Sequence, residues 1–136
     1  MNNQDQHKTF IFNDKINKEL LFSLYEDDFS YMEEIFSITL TQLKPDISTL
    51  RETFENNDLA GLRKAVHKIK PSFGYIGLPE TQELCKQFEV ICGTSSSVSQ
   101  IVTQYSFLCT RLEESIHIIE AEYEKLKNYN LSWLWV

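Results

Sequence analysis

The chain has 136 residues and a formal net charge of −7 at pH 7. This length fits one domain, and a hydrophobic fraction of 42% excludes a disordered chain. With 20 acidic residues against 13 basic ones, the chain lacks the broad basic surface that nucleic acids and anionic membranes attract, so we expect neither as a partner. It has only four glycines and three prolines, which favours a few long helices over many short strands.

The cysteines and the start of the chain bear on its compartment. Cys85, Cys92 and Cys109 follow no metal-binding spacing, and their odd number predicts reduced thiols inside a core. The polar start has no apolar signal core, and no run approaches the roughly 18 apolar residues of a membrane-spanning helix. We therefore expect a cytoplasmic protein.

Three segments are predicted along the chain. Residues 1–13 are expected to form a flexible lead, residues 14–127 a helical bundle, and residues 128–136 an apolar tail that either packs back on the bundle or contacts a partner. Asn13 or Asp14 can cap a short first helix. The apolar residues of that helix recur every four positions: Ile16, Leu20 and Leu24.

Four longer helices follow, each with apolar residues at steps of three and four. The second helix contains Pro45, where we expect a bend and not an end because the apolar stripe continues. Asp58 caps the third helix, Pro79 begins the fourth, and the last starts near Val98. Short connections imply antiparallel neighbours, so the predicted fold is all-α, an up-and-down antiparallel four-helix bundle with an additional short N-terminal helix.

A local basic patch interrupts the acidic chain on the third helix. No Asp or Glu occurs from Leu59 to Pro79, and four cations surround His67, which lies about 100° around the helix from the core residue Val66. The cations are Arg63, Lys64, Lys68 and Lys70. Such a patch predicts a single anionic ligand beside an accessible imidazole, on a face shared with Gly74.

The sequence around His67 resembles the signature of histidine-containing phosphotransfer (HPt) domains. That signature reads roughly A-H-x-[ILM]-K-G-[ST]-x-x-x-[ILMF]-G. His67 matches the phosphoryl-accepting histidine, and Lys70 the lysine that neutralises the phosphoryl group. Ser72 and Gly77 match its small and turn positions. On the next helix, Glu89 matches the polar residue that orients the imidazole. The resemblance spans roughly residues 14–127.

The resemblance implies a phosphorelay intermediate of a multistep two-component system. His67 would take a phosphoryl group from the aspartate of one response-regulator receiver domain and pass it to another. The implied partners are receiver domains and a hybrid sensor histidine kinase. The chain would act as a monomeric phosphocarrier that binds no cofactor itself, with Mg²⁺ supplied by the receiver. It contains neither a P-loop nor a kinase glycine-rich loop, so we expect no ATP-dependent activity. We expect an apolar docking rim at four residues: Leu20, Leu24, Phe29 and Met32.

One departure leaves an alternative open. Pro71 stands where the family commonly has Gly, and it should distort the helix because it cannot donate a hydrogen bond to the carbonyl of His67. The alternative is a degenerate adaptor that docks receivers without carrying phosphate. A metal-binding bundle is weaker, because Glu114 and His117 form its only Glu-x-x-His motif. Met1 and the polar start favour a separate protein over a domain cut from a larger hybrid kinase.

Overall fold

The computed structural model describes residues 10–132 of the chain. Five α-helices and one short 3₁₀ helix occur in this part, which contains no strand. The helices are α1 (Lys18–Tyr25), α2 (Phe29–Glu55), α3 (Leu59–Tyr75), α4 (Pro79–Thr94) and α5 (Val102–Ser132), and the 3₁₀ helix Val98–Ile101 leads into α5. The all-α prediction is confirmed.

The four long helices close into a bundle. Helix α2 packs against α3 and α5, and α4 packs against the same two helices from the other side. Each helix turns its apolar stripe inward, so that Leu43, Val66, Phe88 and Leu112 lie at or below 2% exposure in one continuous core. The predicted four-helix bundle with an additional N-terminal helix is therefore confirmed, and one outer face of α3 remains open beside α4.

Local sequence signals set the helix ends. The Asp28 and Asp58 side chains accept hydrogen bonds from the backbone N–H groups of Tyr31 and Gly61, at 3.0 and 2.9 Å. At the end of α3, Gly77 has a φ of +79°. The N–H of Leu78 donates to the carbonyl of Phe73 at 2.8 Å, which completes a Schellman cap.

Neither of the two prolines that lie inside helices interrupts its helix. Helix α2 passes through Pro45 and α3 passes through Pro71. The prediction that α2 continues past Pro45 is confirmed. Pro71 does not end α3, which stays α-helical to Tyr75.

The first helix differs from its prediction. Its N-cap is Asn17, which accepts from the N–H of Leu20 at 2.9 Å, so the predicted caps Asn13 and Asp14 are wrong. Of the predicted stripe, Ile16 is buried and Leu20 is half-buried, but Leu24 is 49% exposed and its assignment to the buried face is wrong, since the fully buried residue of the helix is Leu21. The reason is tertiary anchoring: the N–H of Asn17 donates to the carbonyl of Gly77 at 2.8 Å and fixes the helix against the α3–α4 joint.

The two ends of the described chain meet near the start of α2. Phe12 is buried, and Phe10 lies edge-on to Tyr129 of α5 with ring centroids 5.5 Å apart. Helix α5 extends through Ser132, past the predicted end of the bundle at residue 127. Most of the predicted lead, residues 1–9, and the tail residues 133–136, including Trp133 and Trp135, lie outside the described residues.

Candidate functional site

The open face of α3 presents His67 toward α4. The imidazole side chain is 67% exposed, and its Nδ1 lies 2.7 Å from Oε1 of Glu89. A carboxylate at this distance accepts a hydrogen bond from Nδ1–H, which selects the tautomer whose lone pair is on Nε2. The ring is therefore accessible, and its second nitrogen is available for chemistry.

Glu89 also holds Lys70. Its Oε2 accepts from the Lys70 ammonium at 2.8 Å, and the two side chains are only 17% and 25% exposed. The Lys70 hydrogen bond lowers the pKa of Glu89, and the His67 hydrogen bond adds to this effect against the opposing influence of burial. Glu89 therefore remains a carboxylate that anchors an imidazole and an ammonium together.

The other predicted site residues flank this group. Lys68 turns to α2, where it pairs with Asp46 at 3.0 Å. The Arg63 guanidinium lies over Gly93 of α4, and Lys64 and Pro71 are exposed on α3. The three small residues of the predicted set contribute to the packing and the end of α3. Ser72 is half-buried, a Cβ on Gly74 would lie 2.9 Å from the Gln82 amide, and Gly77 forms the α3 cap.

Lys86 is a cation that the sequence analysis missed. It is exposed on α4, three residues before Glu89, and so lies one helical turn from the carboxylate that holds His67. The spacing from Glu89 was readable in the sequence. That Lys86 lies beside the His67 group follows from the packing of α4 alongside α3, which only the structure shows.

The predicted docking rim needs correction. Met32 is fully buried in the core and cannot serve as a surface contact. Phe29 and Leu20 are half-buried, and Leu24 is exposed. Met32 is buried because it follows the core stripe of α2, four residues before the fully buried Phe36.

Exposed aromatic and aliphatic residues occur on the helices around the site. Tyr31 and Ile38 lie seven residues apart on one exposed face of α2, and Tyr75 is 55% exposed at the end of α3. The Tyr25 hydroxyl donates to the Tyr75 carbonyl at 2.7 Å, which fixes the end of α1 beside them.

A family model for the Hpt domain matches residues 34–128, which include His67, Lys70 and Glu89. The chain belongs to the Hpt domain family. Membership supports a phosphotransfer role in two-component signalling. This Hpt domain is similar in fold to the crystal structure of the Hpt domain from a sensor hybrid histidine kinase of Shewanella, with a TM-score of 0.70 and 19% identity over 82% of this chain and 95% of that one. None of the curated proteins searched matches its sequence.

The described part of this Hpt domain contains three cysteines and a second histidine besides the His67 group. Residues 10–132 contain no cluster of three or more His, Cys, Asp or Glu side chains placed to hold a metal ion. Burial raises the pKa of the Cys85 and Cys92 thiols to about 12 and about 11. His117 of the metal-binding alternative is 82% exposed on α5. None of the helices within this range is long and apolar enough to span a membrane.

Proposed function

We propose that this Hpt domain is a phosphorelay intermediate that accepts a phosphoryl group on Nε2 of His67. The observation that carries the proposal is the hydrogen bond from Nδ1 to Glu89, 2.7 Å long, on a ring that is 67% exposed. Orientation of one ring nitrogen by a carboxylate leaves the other as the nucleophile. The proposed donor is the aspartyl phosphate of a receiver domain, and the acceptor is the aspartate of another.

The proposed transfer step is a displacement at phosphorus. The Nε2 lone pair forms the new N–P bond while the P–O bond to the receiver aspartate breaks, and the aspartate leaves as a carboxylate. The Nδ1 proton stays in the hydrogen bond with Glu89, which offsets the positive charge that develops on the ring. The reverse transfer to a second receiver follows the same path.

Lys70 is proposed to stabilise the transferring group. Its ammonium shares Glu89 with His67, so both lie at one carboxylate, and a lysine side chain can rotate from Glu89 toward phosphoryl oxygens. Charge stabilisation of this kind is the main contribution that a protein makes to phosphoryl transfer. We expect Mg²⁺ to be held by the receiver, where carboxylates and the phosphoryl group provide the oxygen ligands it prefers.

The second candidate is the adaptor, and Pro71 is the observation that favours it. Pro71 is exposed one turn after His67, so its ring occupies part of the face that a receiver would approach. An adaptor would bind receivers equally well with or without a functional imidazole. The cytoplasmic location, the monomeric state and the absence of nucleic-acid binding remain predictions.

The two functions differ in labelling. The chain is incubated with receiver domains carrying radiolabelled aspartyl phosphate, and we expect transfer of acid-labile, base-stable label to wild type and not to His67→Gln. His117→Gln is the matched control, because it removes the exposed histidine on α5 and should label as wild type does. Lys70→Gln should slow labelling by about 10-fold or more, equivalent to roughly 1.4 kcal/mol of transition-state stabilisation. Receiver binding without label on wild type would establish the adaptor, and equal label on His67→Gln would reject the site.

A further inference from the structure

The cations around His67 fall into two groups that the sequence does not separate. Lys68 and Lys70 are paired within the chain, with Asp46 and Glu89. Arg63 and Lys64 make no ion pair with any residue of the range 10–132, although acidic residues outnumber basic ones in this chain. The paired lysines each have a carboxylate partner within the chain, whereas Arg63 and Lys64 have none among residues 10–132 and are open to a carboxylate of a partner.

A third unpaired cation completes this set from α4. Lys86 is exposed, makes no ion pair within residues 10–132, and precedes Glu89 by one turn. We call Arg63, Lys64 and Lys86 the free cation set. Arg63 and Lys64 lie one turn before His67 on α3, so the three charges border the imidazole from two helices.

The guanidinium of Arg63 lies against the backbone of α4 at Gly93, and Arg63 makes no ion pair among residues 10–132. A Cβ built on Gly93 would lie 3.0 Å from Cζ of Arg63 and 3.2 Å from each terminal nitrogen, so the guanidinium rests where a side chain on α4 would otherwise be. This contact, which we call the cradle, places the charge between α3 and α4. It leaves the donor groups of the guanidinium without a carboxylate partner among the described residues.

We propose that the free cation set is the electrostatic contact for a partner surface of clustered carboxylates, and that it sets the rate of docking and not the chemistry at His67. This inference rests on the proposed function, in which the partner is a receiver domain. A site that carries an aspartyl phosphate and holds Mg²⁺ needs several carboxylates close together. Charge complementarity between such a site and the free cation set accelerates encounter, and salt weakens it.

The test measures association of a receiver domain with the full chain from 25 to 500 mM KCl. Arg63→Gln/Lys86→Gln removes two of the three free charges. Lys15→Gln/Lys18→Gln is the matched control, because both of its lysines are exposed and unpaired within residues 10–132 and the net charge is the same. Lys15 and Lys18 flank Asn17, whose N–H donates to the carbonyl of Gly77, and Gly77 follows the end of α3, ten residues after His67.

We expect the first double variant to lower the association rate about five-fold at 25 mM KCl, with little change in the dissociation rate. The difference from wild type should vanish at 500 mM KCl, and the control should stay within about two-fold of wild type. Equal losses in both double variants would mean that only net charge matters and would overturn the proposal. A salt-independent association rate for wild type would overturn it as well.

Gly93→Ala tests the placement of Arg63 without removing a charge. The new methyl group would lie 3.0 Å from Cζ of Arg63, so the guanidinium must move by a few tenths of an ångström, while alanine favours the helix more than glycine does. Slower association with a melting temperature at or above that of wild type would support a role for the position of the guanidinium, and a wild-type association rate would contradict it. Because association is measured with or without phosphoryl transfer, a chain that binds in this salt-dependent way yet takes up no label would reject the proposed carrier function alone.

Discussion

At the scale of single residues, Glu89 is the side chain on which the site depends. One carboxylate orients the imidazole of His67 through Oε1 and anchors Lys70 through Oε2. Both contacts favour its ionised form, and together they lower its pKa below the ordinary value of 4.5 in spite of burial. The negative charge of Glu89 therefore contributes to folding stability as well as to the geometry of the site.

The lowered pKa of Glu89 predicts an acid-dependent loss of stability. A group with a depressed folded-state pKa stabilises the protein above its unfolded-state pKa, and this contribution is lost as the pH falls through the folded-state value. We expect Glu89→Gln to cost about 1 kcal/mol at pH 7 and to cost progressively less below pH 4.5. Urea unfolding of wild type and variant from pH 7 to pH 3 measures this difference.

An exposed carboxylate serves as the control for this prediction. Glu113 pairs with Arg51 at 3.0 Å, but its side chain is 64% exposed, so Glu113→Gln should have little effect at any pH. A cost of Glu89→Gln that stays constant down to pH 3 would contradict the assigned role of the charge.

In ¹⁵N spectra of the His67 ring, Glu89→Gln should keep the Nδ1–H tautomer and Glu89→Ala should reduce its population, because glutamine can still accept the hydrogen bond from Nδ1–H and alanine cannot.

At the scale of the elements, the two αL helix caps differ in what surrounds them. Gly77 ends α3 at a φ of +79°, and Asn57 ends α2 at +55°. A Cβ on Gly77 would lie 3.0 Å from Cγ of Leu21, which is fully buried, and 3.1 Å from a methyl carbon of Ile16. Asn57 is exposed. One cap therefore tolerates a side chain and the other is enclosed by α1 and the residues that lead into it.

Alanine at each cap separates backbone strain from crowding. Asn57→Ala loses only the left-handed preference of asparagine, which costs about 0.5–1 kcal/mol. Gly77→Ala adds displacement of α1, and we expect a total cost of about 2–3 kcal/mol. Thermal and urea unfolding of both variants tests the difference, and equal costs would show that α1 yields freely to a methyl group.

The comparison of helices shows how far the sequence determines this fold. Apolar residues at steps of three and four predicted the long helices because each stripe spans several turns. Helix α1 has only eight residues, so its periodicity could not choose between Leu24 and Leu21, and contact with Gly77 decided the face. The motif singled out His67 and Lys70, whose roles remain predictions. The Arg63–Gly93 contact depends on the register of α3 against α4, which no pattern within one helix reveals.

At the scale of the whole molecule, a buried carboxylate on α5 and its lysine partner connect the last helix to the segment that precedes α1. Glu122 of α5 is 2% exposed, and its two carboxylate oxygens lie 3.0 and 3.2 Å from Nζ of Lys125. The same ammonium donates to the carbonyl of Ile11 at 2.6 Å and lies 5.2 Å from the centre of the Phe10 ring. One lysine thus connects the segment before α1 to the last helix.

Loss of Lys125 should destabilise the molecule without disabling the site. Lys125→Met leaves the Glu122 carboxylate buried and unpaired, and we expect a cost of about 2 kcal/mol because the lysine itself is 45% exposed. Lys127→Met is the matched control, since Lys127 pairs with the exposed Glu124 at 3.6 Å and should cost less than about 0.5 kcal/mol. Urea unfolding at pH 7 measures both.

The double variant Lys125→Met/Glu122→Gln should recover part of the loss, because a neutral amide is less costly to bury than an unpaired carboxylate. Below the melting transition, phosphoryl uptake by Lys125→Met should equal that of wild type, since His67, Lys70 and Glu89 contact one another on α3 and α4 alone. Equal stability of the two lysine variants would show that water or a neighbouring group satisfies Glu122 when Lys125 is absent.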